Sequence, residues 1–522
     1  MNLILPQDIW ECIASFIPYS QLLPLISVNL ALYNIVMDAK YREVNWTTVD
    51  RSMVKSLERL RTPSVAGRVR RLHIRAWFIE YLAKKESLGA QSFVASVRRL
   101  TRHLRTPSSA SEVVKIDTAR SILASMTASV RLMTRVTEYS FEWRDLSPTA
   151  DTLNFLTSAR TAFGVSLRKL TLHAQLGNFR NLLSTVEFDN LEELELYFDH
   201  DSHVEEHGAE LLRDTIAPFI NHFRHSLSRL LIASSSKTDF SPLLNTLGEF
   251  TLLHTFVARL TFDRTHLLDP QGLARILCTN SSTLLNVEIG HSFAAAVEAA
   301  PNPPSTLPLL TTALVSDSIV LRNLRSLKLP AFDRFADTAV CLRRSADTLT
   351  HLNLMNCFLT PIEFEQLVQI FSHRPFDAGL RSLQIGLNYL TVDVLYLLGN
   401  RLPGLSDLNL VLAPNVLDAV SHRPPPGFNG PSPFCAALLS HFYPDWQLFN
   451  LGIWDTRFRD TSVSHEHEVA MMEHLAQCIP NVQMFKGTPR SQFPSFQPYT
   501  CDLFMPVIPR SGRARTDHHC HW

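Results

Sequence analysis

Histidine, cysteine and carboxylate side chains gather in two stretches that could ligate a metal or move a proton. His465, Glu466, His467, Glu468, Glu473 and His474 fall close together, and Asp517-His518-His519-Cys520-His521 stands near the other end of that region. A zinc protease needs His-Glu-x-x-His, which sets two imidazoles one turn apart on a single helix face. Counted from His465 the second position is Val469, and counted from His467 it is Met471. The spacing fails, and a charged surface helix accounts for the cluster.

The first four residues of Asp517-His518-His519-Cys520 match a membrane palmitoyl-transferase signature. That chemistry needs membrane helices and a cysteine-rich zinc domain. No apolar run reaches the roughly 18 residues of a membrane helix. The cysteines Cys12, Cys278, Cys341, Cys357, Cys435, Cys478, Cys501 and Cys520 form no CxxC pair. They suggest neither a zinc site nor a disulfide framework, and reduced thiols in an intracellular setting fit them best. There is no Walker-type glycine loop, no GxGxxG and no GxSxG elbow. We therefore expect no catalytic residues, no metal and no cofactor, and a chain that is not an enzyme. A catalytic site would have to assemble from distant residues.

Composition argues against wholesale disorder. The 522 residues are 45% hydrophobic and 19% charged, with 49 basic against 49 acidic side chains. That balance is ordinary for a globular protein. It gives no electrostatic footprint for nucleic acid. The amino end lacks a basic n-region, and Asp8 and Glu11 arrive early, so a signal peptide is not expected. The expected location is the cytoplasm or nucleus, with no membrane contact.

Leu5 to Val44 reads as three short helices. Ile9, Ile13, Phe16 and Ile17 fall at i, i+4, i+7 and i+8, one apolar face. Pro6 suits a first turn, and Asp8 and Glu11 complement the positive amino end. Pro18 ends this helix. Ser20 is placed to cap a second, Leu22 to Ser27, with Pro24 in its first turn. Asn29 is placed to cap a third, in which Leu30, Tyr33 and Met37 keep helical spacing. A unit of roughly 40 residues rarely buries enough surface to fold alone. With one cysteine and no metal spacing, it must lean on the rest of the chain or on another protein.

Beyond a polar stretch through Arg61-Thr62-Pro63, a pattern L-x-x-L-x-L recurs. Clear copies are Leu167-Leu170-Leu172, Leu191-Leu194-Leu196, Leu324-Leu327-Leu329 and Leu349-Leu352-Leu354. Others centre on Leu72 and Ile74, Leu230 and Ile232, Val287 and Ile289, Leu383 and Ile385, Leu408 and Leu410, and Leu451 and Ile453. Period-two alternation means a short strand with one buried face. Helical patterns lie between copies. Thr360-Pro361-Ile362-Glu363 is a capping box with proline at N1, and Glu210 to Phe223, Thr391 to Leu398 and Glu466 to Cys478 read as helices. Strand–helix units spaced mostly about 24 to 40 residues apart indicate a repeat stack. Pro301 to Pro308 and Ser421 to Pro433 interrupt it as proline-rich loops. Arg98, Arg99, Arg102 and Arg105 form a basic stripe read as a solvated helix face.

Two resemblances follow from these residues. Leu5-Pro6, Asp8-Ile9, Ile13, Phe16, Leu22-Leu23, Leu25 and Ser27-Val28 resemble the F-box, the module that binds a Skp-type adaptor in SCF ubiquitin ligases. Asn29-Leu30-Ala31-Leu32-Tyr33 stands where many F-boxes carry a basic–aromatic pair. The repeats resemble the leucine-rich repeat family, with its usual asparagine mostly missing. The resemblance implies an α/β fold: residues 1–46 an F-box-like helical module, then 47–487 a solenoid with a curved parallel sheet and helices outside. Residues 488–522 would be a proline-rich, partly disordered tail. It implies adaptor contacts through Leu5, Pro6, Ile9, Ile13, Leu22, Leu23 and Val28. The repeats would bind an unknown target protein through residues between the leucines: Lys169, Glu193, Glu195, Arg229, Lys328, His351, Asn353, Gln384, Asp407 and Asn409. Thr171, Ser326 and Ser382 share that face. The rival reading is a leucine-rich-repeat scaffold with no ubiquitin role, its first helices a cap on the stack.

Overall fold

The computed structural model describes residues 5–76, 79, 119–143, 149–184, 188–199, 207–291, 305–316, 321–330, 334–374, 379–413, 437–438, 440–455, 472–486 and 488–489. The basic stripe, the run 421–433, residues 301–304, His465, His467 and the sequence from residue 490 lie outside them. The chain divides into two compact units, Met1–Leu252 and Leu253–Trp522.

The first unit opens with α1 (Gln7–Ser15), α2 (Tyr19–Leu22), a 3-10 turn (Leu23–Ser27) and α3 (Leu30–Tyr41). Prolines set the breaks. Pro6 precedes α1, Pro18 precedes α2, and Pro24 stands in the first turn of the 3-10 segment. Asn29 caps α3 by accepting the Leu32 N–H at 2.8 Å. Of the apolar face read along α1, only Ile17 packs. Trp10, Ala14 and Ile17 turn inward against Leu22, Leu32 and Val36. Ile9, Ile13 and Phe16 stay exposed.

α3 runs directly into β1 (Glu43–Trp46), so the last residues assigned to the helical module form a strand. β1 pairs in parallel with β2 (Arg71–Arg75), and β3 (Glu138–Glu142), β4 (Lys169–Gln175), β5 (Glu193–Asp199) and β6 (Arg229–Ser234) follow in chain order, all parallel. The register lines up Val44, Leu72, Tyr139, Leu170, Leu194 and Leu230 as one buried column. Trp46, Ile74, Phe141, Leu172, Leu196 and Ile232 form a second. The polar stretch holds a helix, Arg51–Leu60. Asp50 caps it by accepting the Met53 N–H, and Met53, Leu57 and Leu60 are buried at helical spacing. The helix expected over Glu210 to Phe223 is present but carries a π turn, Leu212–Ile216. Pro218 explains it: its ring excludes the ordinary bond to the carbonyl of Asp214.

The second unit repeats the scheme. β7 (Thr255–Leu260), β8 (Asn286–His291), β9 (Ser326–Pro330), β10 (His351–Leu359), β11 (Ser382–Leu387), β12 (Asp407–Leu412), β13 (Asn450–Asp455) and β14 (Met484–Phe485) pair in parallel in chain order. The parallel pairing expected up to residue 487 holds to β14. β15 (Thr488–Pro489) folds back antiparallel on β14, and Lys486, at φ 48°, begins the turn. Helices Gln271–Thr279, Leu307–Ser316, Phe335–Ser345, Pro361–Phe371 and Val392–Arg401 each pack against the next. The capping box at Thr360 is complete, with both reciprocal bonds to Glu363. β10 bulges after Asn353, and the Cys357 carbonyl settles where a side chain at residue 386 would stand; Gly386 is what admits it. Each strand–helix unit leaves an apolar face that only its neighbours cover, which is the physics of a repeat stack. The expected α/β repeat architecture is what the chain adopts within each unit.

Candidate functional site

Two kinds of surface could hold a partner. The first is the outer face of the helical module. Among the described residues, nine of eighteen exposed large apolar side chains lie between Leu5 and Tyr33. They are Leu5, Ile9, Ile13, Phe16, Tyr19, Leu23, Val28, Leu30 and Tyr33, and Phe16 is 81% exposed. Ile9, Ile13 and Phe16 share one face of α1 by their i, i+4, i+7 spacing. Of the residues proposed from sequence for adaptor contact, Leu5, Pro6, Ile9, Ile13, Leu23 and Val28 are exposed. Leu22 is not: it fills the module's own core with Ala14, Leu32 and Val36, because α2 turns it inward. The module is held to the first repeats by Arg68, whose guanidinium donates to the Asn34 carbonyl at 3.1 Å and pairs with Asp38 at 2.6 Å.

The second surface is the outward row of each sheet. In the first unit the register sets Glu43, Arg71, Glu138, Lys169, Glu193 and Arg229 side by side on successive strands, with signs alternating at every step. Arg71 meets Glu138 at 2.9 Å. Lys169 meets Glu193 at 3.4 Å and Glu195 at 2.7 Å, and Arg229 also reaches Glu195 at 3.3 Å. Thr171 donates to the other Glu195 oxygen. Glu195 is therefore buried beneath partners, not offered to a ligand. One position further along, His173 lies between Asp199 at 2.6 Å and Glu142 at 3.5 Å, and Arg75 meets Glu142 at 3.0 Å. A hollow of about 310 Å³ opens over β1 to β4, lined by Glu43, Asn45, Arg71, His73 and Lys169 among others. Burial and the nearby Arg75 hold the His73 imidazole below its ordinary range.

The row in the second unit is different. Glu288 is enclosed by charge, taking Arg259 at 2.8 Å and Lys328 at 2.9 Å. Burial alone would raise its carboxyl, but those two hydrogen bonds outweigh it and hold the group below the usual range. Next come amides: Asn353 donates to Gln384 at 2.9 Å, and Asp407 accepts from Asn409 at 2.7 Å and Asn450 at 2.9 Å. His351 lies apart, its Nδ1 2.8 Å from the Thr350 hydroxyl.

Sequence reasoning missed Arg71, Glu138, Glu142, Asp199, Arg259 and Glu288. Their outward parity in the strand was the available signal, but in β3 and β7 aromatic inward residues hid the strand. Burial pushes the Cys341 and Cys357 thiols up to about 11, so neither is a thiolate at neutral pH. Among the described residues no group of three or more His, Cys, Asp or Glu is arranged to hold a metal, and no helix is long and apolar enough to cross a membrane.

Two consequences can be measured. Glu195→Ala would leave Lys169 and Arg229 facing each other without their shared carboxylate. With both cations about one-third exposed, the expected cost is about 1–3 kcal/mol, read as a lower denaturant midpoint. Acidification should act in two stages. Burial holds both His73 and His291 below their ordinary range, so the unfolded chain takes their protons first. Their contribution is lost as pH falls below about 6.5. Glu288 and Asp263 are carboxylates held low, the latter by His266 and Thr265 against the opposing effect of burial. Their contribution is present above about pH 4.3 and is lost below it. Melting temperature against pH should show both declines; a curve flat from pH 7 to 5 would contradict the first.

No family model and no curated protein matches the chain. Among solved structures, the chain is similar to one described as the complex of Rad7 and Elc1 in yeast, at 13% identity, with 78% of this chain and 92% of that one covered and a TM-score of 0.33. A TM-score of that size is too low to support an inference from that protein to this one.

Proposed function

We propose that this chain is a non-catalytic substrate-recognition subunit of an SCF-type ubiquitin ligase. Its helical module docks on a Skp-type adaptor, and its repeats hold a target protein. One observation carries the reading: the module buries a small core of its own, yet keeps Leu5, Ile9, Ile13, Phe16, Leu23 and Val28 exposed on residues that resemble the F-box. Fully burying an apolar side chain stabilises by about 1.5–3 kcal/mol. Association costs about 4–15 kcal/mol. Burying the nine exposed apolar side chains between Leu5 and Tyr33 together would supply a gain of that same order. The chain makes or breaks no bond in this role. It raises the effective concentration of a target's lysines near ubiquitin carried by other subunits. The test is co-expression with a Skp-type adaptor followed by size-exclusion chromatography. Co-elution in equal amounts supports the reading. Separate elution, with the chain folded, leaves a repeat scaffold without a ubiquitin role.

A further inference from the structure

The hollow over β1 to β4 is lined by two rows of side chains that register sets next to each other. One row is Glu43, Arg71, Glu138 and Lys169, and the other is Asn45, His73, Ser140 and Thr171. Its volume of about 310 Å³ is at the lower end of the range for ligand pockets. The charges of the first row are settled except at one place. Arg71 turns its Nε to Glu138 at 2.9 Å. Lys169 is taken by Glu195 at 2.7 Å and Glu193 at 3.4 Å, neither of which lines the hollow. Glu43 accepts a neutral donor, the Asn45 Nδ2 at 2.9 Å, and forms no ion pair among the described residues. Continued to β6, the two rows set four carboxylates, Glu43, Glu138, Glu193 and Glu195, against three cations, Arg71, Lys169 and Arg229. One negative charge is left over, and it stands at Glu43.

The neutral row leaves acceptors open. Asn45 has given its Nδ2 to Glu43 and keeps its Oδ1. Thr171 has given its hydroxyl hydrogen to Glu195 and keeps its lone pairs. His73 and Ser140, opposite each other in register, make no side-chain hydrogen bond among the described residues. Burial and Arg75 keep the His73 ring neutral, so one of its nitrogens carries a lone pair. A group with several donors and one positive charge answers this lining. A carboxylate would meet Glu43 and Glu138, and an apolar chain would strip water from the acceptors without replacing it. Arg71 and Lys169 do not oppose a cation strongly, since each is paired with its own carboxylate. The open acceptors are single points on separate strands, which suits the three N–H bonds of an ammonium better than a planar guanidinium fork. We propose that the hollow over β1 to β4 takes a lysine side chain of the target protein, with Glu43 as counter-ion and His73 and Ser140 as acceptors beneath it. This rests on the target-holding reading above and names one side chain the target brings.

The experiment uses the full chain and acetylated, amidated heptapeptides of glycine and serine around one central residue, titrated by calorimetry at neutral pH. The central residue is lysine, norleucine or arginine. The lysine peptide should bind, norleucine should weaken binding by roughly tenfold or more, and arginine should be the weaker of the two cations. Glu43→Gln should weaken the lysine peptide by a similar factor. Glu43 is exposed, so this variant keeps the fold. Glu193→Gln removes a carboxylate from the same face but not from the hollow, and should leave binding unchanged. No binding by the lysine peptide, equal binding by norleucine, tighter binding by arginine, or equal losses in the two variants overturns the proposal. Adaptor co-elution is measured on the same preparation. Its failure alone counts against the ligase role, and failure of the peptides alone counts against this hollow.

Discussion

Ile9→Asp combined with Phe16→Asp should abolish capture of a Skp-type adaptor while the chain stays folded. Both side chains stand on the exposed face of α1, Ile9 at 43% and Phe16 at 81% exposure. An aspartate there meets water in the free chain and costs little. Against an apolar partner it would be desolvated without a counter-ion, and removing two anchors at once should weaken binding by more than about a hundredfold. Ala14→Asp is the informative contrast. Ala14 is buried against Leu22, Leu32 and Val36, so a charge there should unfold the module itself. Its loss of binding would come with a lost helix signal, which the surface variant should not show. If the double variant still captures the adaptor at wild-type strength, the outer face of α1 is not the docking surface.

Phe198→Ala should produce the largest loss of stability, about 3–5 kcal/mol. Phe198 is buried on β5 between Phe179, with ring centres 4.5 Å apart, and Phe240, at 5.2 Å. These rings come from three successive repeats. Truncation leaves a cavity that none of them can close without breaking the register Phe198 shares with β6. The comparison is Glu193→Ala on the outward side of the same strand, where a partly exposed ion pair contributes under about 1 kcal/mol. Denaturant titration of both variants reads the difference. Equal effects would mean the stack is not held by its inward columns.

The strands with leucine at all three inward positions could be read directly, because alternation and spacing coincide. β1, β3 and β7 escaped for one reason: most of their inward residues are not leucine. Tyr41 before Val44 and Trp46 of β1, Val136 before Tyr139 and Phe141 of β3, and Leu253 before Phe256 and Ala258 of β7 keep the same offsets and are all buried. The spacing was the signal, and residue type was a poor proxy for it. The helix Arg51–Leu60 was lost in a charged stretch, since three buried residues at i, i+4 and i+7 are enough when the partner face is narrow.

At the candidate sites, outward parity was legible but pairing was not. Arg71 and Glu138 are 67 residues apart, and only the strand register shows that they neutralise each other. The same holds for Glu195, which reads as an exposed acid and is enclosed by Lys169, Thr171 and Arg229. For α1, an apolar face was legible, but the side that packs on its own chain was not. The larger apolar set faces out, and the smaller one, Trp10, Ala14 and Ile17, forms the contact. A helix amphipathic in both directions carries no mark in its sequence of which face meets its own chain.

Amide hydrogen exchange of the full chain, with and without a purified Skp-type adaptor, tests the central claim most directly. Added protection should fall on peptides covering residues 5–33 and leave β2 to β6 unchanged. Unchanged exchange throughout, or protection confined to the repeats, would contradict it.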